Sequence, residues 1–73
     1  MTATEVKIGR YYAIKISGKM TIVKIEAAVP RGGWTGRNIF SKRRVRITSA
    51  VRLLGDVTAR GKRIERDMKE LGL

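Results

Sequence analysis

The sequence predicts a mainly β protein: a small barrel of four or five short antiparallel strands, a helical turn before the last strand and a C-terminal α-helix. Three observations carry that expectation. Apolar and polar residues alternate at a period of two through much of residues 12–48. Glycine-bearing breaks cut the alternation into short runs. Only beyond Gly55 does the apolar spacing change to that of a helix. A chain of 73 residues makes one domain and buries about 60% of the surface its unfolded form exposes, so its core is small.

The first strand covers residues 12–17, where Tyr12, Ile14 and Ile16 share one face and Ala13, Lys15 and Ser17 the other. Ser17-Gly18-Lys19 offers a residue able to take positive φ. A second strand then follows over residues 20–28, with Thr21, Val23, Ile25 and Ala27 opposite Met20, Ile22, Lys24 and Glu26. These two runs form a hairpin. Pro30, which lacks a ladder donor, and the Gly32-Gly33 pair break the pattern. A third strand spans residues 34–40, Ser41-Lys42 forms a tight turn, and a fourth strand spans residues 43–48. In that strand Val45 and Ile47 point inward and Arg44, Arg46 and Thr48 outward. Residues 49–55 suit a single helical turn closing into a last short strand.

In the tail, Val57, Ile64, Met68 and Leu71 fall at helical spacing. Opposite charges stand four residues apart at Arg63/Asp67, Glu65/Lys69 and Arg66/Glu70. Gly61 sets the expected helix start near Lys62, Gly72 is its stop, and residues 56–61 form the linker. The organisation expected is a barrel over residues 1–55 and a helical extension over residues 56–73, packed on the barrel or projecting from it. The stripe of Ile64, Met68 and Leu71 is either additional core on the open side of the sheet or an edge for self-association or a protein partner.

Charge divides unevenly along this organisation. Residues 1–55 hold twelve Lys and Arg against Glu5 and Glu26, whereas residues 56–73 hold five against Asp56, Glu65, Asp67 and Glu70. Between Glu26 and Asp56 there is no acid at all, and that stretch sets Arg31, Arg37, Lys42, Arg43, Arg44, Arg46 and Arg52 around Trp34 and Phe40. Cations neutralise phosphates and flat rings stack on bases, so the pattern points to nucleic acid as the partner. A solvated basic face is the plain alternative.

Arg44 and Arg46 alternate with inward residues, so both face solvent about 7 Å apart, near the spacing of successive phosphates along one strand. They are the leading phosphate contacts. Lys42 at the turn and Arg37 on the facing strand extend them; Arg43 has inward parity and is expected to snorkel outward from the hairpin end. Arg31, beside Gly32-Gly33, sits on a loop able to enter a groove. Trp34 is either the main stacking group or a core residue in a chain with one Phe and two Tyr. Tyr11 is expected on the exposed face with Lys15, and Tyr12 in the core.

Other functions find little material here. With no Cys and no His, disulfides, the usual zinc, haem and iron–sulfur ligand sets and a histidine base are all missing. The six carboxylates are isolated or placed in helix pairs, and neither Gly18-Lys19 nor Gly61-Lys62 has the spacing of a phosphate-binding loop. No enzyme, cofactor or metal is expected. No run reaches the roughly 18 apolar residues of a membrane span, and the N-terminal residues lack a secretory apolar region. The expected location is the cytoplasm, on the nucleoid if the source is bacterial or archaeal.

Short strands, a glycine-rich loop and a late helical turn before a terminal strand make residues 6–55 resemble the SH3-like small barrels, which include Tudor, KOW and archaeal chromatin-protein domains. The segment Val45-Arg46-Ile47-Thr48-Ser49-Ala50-Val51-Arg52-Leu53 looks like the strand and helical turn of the type II dihydrofolate reductases, themselves SH3-like barrels. Their active pore uses Val-Gln-Ile-Tyr; here Arg46 and Thr48 occupy the Gln and Tyr positions. The resemblance therefore implies the fold without the reductase activity. The acidic loop of peptide-binding SH3 domains is absent as well. A Tudor-type aromatic cage would have only Tyr11, Tyr12, Trp34 and Phe40 to draw on, in a barrel of strong positive charge.

The function expected from the sequence is a small basic nucleic-acid-binding protein. It favours DNA over RNA and selects weakly for sequence, since phosphate contacts position without reading bases and Asn38 is the lone Asn or Gln. The rival is an adaptor or inhibitor that docks on an acidic protein surface.

Overall fold

A computed structural model of the chain describes residues 2–72. Five antiparallel strands, β1 (Tyr11–Ile16), β2 (Lys19–Ala28), β3 (Trp34–Asn38), β4 (Arg44–Ile47) and β5 (Leu53–Asp56), precede one helix, α1 (Thr58–Glu70). Two 3-10 turns, Ala3–Glu5 and Ala50–Arg52, complete the elements. The strands pair in the order β4-β3-β2-β1-β5. The protein is mainly β, as its alternation implies.

The inner face forms by the period-two rule. Tyr12 and Ile14 of β1, Val23 and Ile25 of β2, Ile47 of β4 and Leu53 of β5 are buried together with Val6 and Ala50. Ile47 and Leu53 come from strands at opposite edges of the sheet, and edge strands of a flat five-stranded sheet would lie about 19 Å apart. Their sharing one cluster means that the sheet curls around its core. It does not close into a barrel, however: β4 and β5 remain unpaired edges. Each is only four residues long, and the Ala50–Arg52 turn carries the chain between the edges without joining their ladders.

Two irregularities accompany the curl, one of them a shift of the β1–β5 register between Ala13 and Ile14. The β2–β3 register shifts between Ile25 and Ala27, a bulge that takes Ala27 out of step with Val23 and Ile25 and pairs it with Thr35 on the outer side. Opposite this bulge stands Gly36, where a Cβ would come 2.7 Å from the Lys24 carbonyl oxygen. Only glycine permits so close an approach.

The outer face is divided. Over its β1–β2 half lies α1, and Tyr11, Ile22 and Ile39 are buried beneath it with Val57 and Ile64 packed against them. Tyr11, expected to be exposed, is therefore buried to 4% exposure. The cause is Gly61, which lies within the helix and not at its start. A Cβ there would overlap the Tyr11 ring, so the missing side chain lets α1 settle on the sheet.

The helix also begins earlier than expected. The Asp56 carboxylate accepts hydrogen bonds from the Thr58 backbone N–H at 2.9 Å and the Thr58 hydroxyl at 2.6 Å. The Thr58 hydroxyl in turn accepts the Tyr11 N–H at 3.1 Å. Arg10 completes the network with its Nε 2.6 Å from Asp56 Oδ2. Residues 56–61, read as a linker, thus become the end of β5 and the first turn of α1. Ile64 serves as core, Met68 is half-buried, and Leu71 is exposed. Among the described residues none of the three expected helix ion pairs closes to 4 Å.

Candidate nucleic-acid interface

The half of the outer face that α1 leaves bare belongs to β3 and β4. Alternation in Arg44-Val45-Arg46-Ile47 buries Ile47, half-buries Val45 and exposes both arginines, as the sequence predicts. Register then adds what alternation alone does not supply. Arg44 stands directly opposite Arg37, and Arg37 opposite Lys24, so three cations form one row across β4, β3 and β2. Arg46 pairs with Thr35 one step along. Opposed residues on neighbouring strands hold their Cβ atoms about 5 Å apart, and like charges so placed destabilise the sheet. Glu26, 3.8 Å from Arg37, is the one carboxylate paired to this row among the described residues.

Lys24 was not singled out from the sequence. Its parity was visible, but its place beside Arg37 depends on the bulge at Glu26. Its ammonium lies 5.7 Å from the centroid of the Tyr11 ring, within cation–π range, and so its stem is laid along the sheet between the helix and the arginines. Burial, and then the hydrogen bond its hydroxyl donates to Glu65, push the Tyr11 phenol up to about 12. The ring therefore stays protonated and neutral near neutral pH.

The remaining predicted residues lie at the two ends of this face. At one end is the β3–β4 turn with Lys42 and Arg43, both exposed. Asn38 builds it: the Asn38 side-chain oxygen accepts from the N–H groups of Phe40 at 2.9 Å and Ser41 at 3.3 Å. The Lys42 N–H donates to the Asn38 carbonyl at 2.8 Å, with Lys42 at φ 65. The amide oxygen of Asn38 is thus engaged in the turn. Arg31 lies at the other end, in the β2–β3 loop. That loop is pinned where the Val29 N–H donates to the Gly33 carbonyl at 2.9 Å and where Gly33, at φ +82, packs so closely on the Ile47 carbonyl that a Cβ would overlap it.

Trp34 is half-buried and packs against the inner core. It pairs with Ile47 and so lies across the strand from Arg37 and Thr35. The structure thus brings Arg37, Arg44 and Arg46 onto one face, places Lys42 and Arg43 at one of its ends and Arg31 at the other, and sets Trp34 on the reverse side. The exposed aromatic is Phe40, at 52% exposure. With Met20, Ile22 and Ile64 it borders an open groove of about 190 Å³ between α1 and the β1–β2 hairpin.

Compared with protein-family models, curated proteins and solved structures, the chain matches none. The functional reading therefore rests on geometry and charge.

Proposed function

We propose that this chain is a small nucleic-acid-binding protein of SH3-like type that grips the sugar–phosphate backbone with the outer face of β3 and β4. The observation that carries the reading is the register of half-buried Lys24 with exposed Arg37 and Arg44 in one outward row, and exposed Arg46 beside it. A surface kept only for solubility would interleave signs. Here cations are opposed in pairs at a cost to the sheet, and a polyanion is the partner that turns this cost into binding energy.

Duplex DNA is the favoured ligand. The face offers guanidinium and ammonium groups, its row holds no exposed ring on which single-stranded bases could stack, the exposed Phe40 borders the groove beside α1 instead, and the Asn38 amide oxygen is engaged in a turn. Binding then depends on phosphate spacing and little on sequence. The protein is not an enzyme in this reading, needs no cofactor, and works in the cytoplasm, on the nucleoid in a cell that has one. The five strands with a 3-10 turn before the last support the SH3-like assignment; no helix is long and apolar enough to cross a membrane.

Titration of duplex DNA, single-stranded DNA and duplex RNA of equal length by fluorescence anisotropy, at three salt concentrations, tests the reading. Micromolar or tighter binding to the duplex is expected, with a salt slope of about −0.9 per phosphate neutralised. Absence of binding at low salt would sink it. A second reading, docking on an acidic protein surface, is favoured by the groove that Met20 and Phe40 border, since both are more than half exposed. It predicts weak, length-independent affinity for nucleic acid.

A further inference from the structure

We propose that the hollow between α1 and the β3–β4 turn is a second phosphate subsite, held by Lys42, Arg66 and Lys69. A nucleic-acid backbone lying on the arginine face then continues onto the helix. The inference rests on the nucleic-acid reading of that face and extends it to residues of another element, ones that the sequence assigns to helix ion pairs.

Three observations carry it. The three cations and Glu65 line one open hollow of about 410 Å³, although Lys42 is far from the others in sequence. The expected neutralising partners are engaged elsewhere or distant: Glu65, four residues before Lys69, accepts the hydrogen bond of the Tyr11 hydroxyl, and neither Arg66 nor Lys69 has a carboxylate within 4 Å among the described residues. Finally, Lys42 belongs to both surfaces. Its backbone is fixed by the N–H donated to Asn38, and the residues after it lead directly into Arg44 and Arg46.

The lining decides the class of ligand. It holds no aromatic or aliphatic side chain to receive a base, only long flexible cations that can gather around phosphodiester oxygens. Glu65 opposes an anion, but its charge is turned toward the Tyr11 hydroxyl and is outnumbered three to one. The hollow therefore suits backbone phosphate, and its effect should appear as affinity and salt dependence without base preference.

The test compares two double variants of equal charge in the titration with labelled duplex DNA at three salt concentrations, each checked for an unchanged thermal melt. Arg66→Gln/Lys69→Gln removes two cations from the hollow while keeping their stems; Lys62→Gln/Arg63→Gln removes two from the same helix outside it. The first is expected to weaken binding about tenfold and flatten the salt slope by about 1.8 units. The second should change affinity less than about threefold, with the slope unaltered. Equal weakening by both would reduce the helix to bulk charge and overturn the subsite. So would a hollow variant that binds like the parent chain while Arg44→Ala/Arg46→Ala loses affinity. A parent chain that does not bind the duplex would overturn the interface and the subsite together.

Discussion

Arg37 and Arg44 face each other across two strands with one carboxylate, Glu26, nearby. Replacing Arg44 and Arg46 by Ala removes two of the proposed phosphate contacts and should weaken binding to every sequence alike, with the salt slope flattened by about two units. Anisotropy at several salt concentrations measures both. The parity of these residues was legible because a period of two leaves no freedom within a strand; their pairing with Lys24 was not, because it turns on a bulge. Gly61 makes the opposite case. Helix propensity says that Ala there should stabilise by about 1 kcal/mol, but the added methyl meets the Tyr11 ring, and overpacking costs about 1–3 kcal/mol. A thermal melt of Gly61→Ala should therefore show a net loss, and a gain would refute the close seating of α1.

At the scale of elements, α1 is tied to the sheet through Asp56, which joins Arg10 on one side and Thr58 on the other. These hydrogen bonds, that of Arg10 foremost, hold the Asp56 carboxyl down at about 2. A carboxyl whose folded value is depressed contributes its stability above the unfolded value near 4 and loses it as pH falls through the folded one. Acid titration of the melt should thus lower the melting temperature between about pH 4 and pH 2, and Asp56→Asn should flatten that decline. The Asp56–Thr58 contact that opens the helix is local; the start was misplaced because Gly61 reads as a helix breaker until the Tyr11 ring it packs on is known. Strand order within the first hairpin was legible, since adjacent alternating runs with a glycine between them have few other ways to pair. The burial of Tyr11 was not, because its face is decided by an element that begins 47 residues later.

For the whole molecule, a formal charge of +11 on 73 residues means that folding gathers like charge and a polyanion relieves it. Duplex DNA at a hundredfold excess over its Kd should raise stability by about 2.7 kcal/mol, read as a higher melting temperature that added salt reverses. An unchanged melt would show that the folded form holds no preferential affinity. The mainly β class was legible from composition and period; closure was not, because whether the first and last edges meet depends on curl and strand length, which no local pattern encodes. The open edge at β4 has a consequence of its own. Its outward hydrogen-bonding groups form a template for another strand, and the arginines beside them keep a second copy of the chain away by repulsion. Such a guard is only as strong as the ionic atmosphere permits, and at 1 M salt the repulsion fades within about 3 Å. The side chains of the proposed interface would thus also guard this edge, so that neutralising them for one purpose would expose the fold to its own kind.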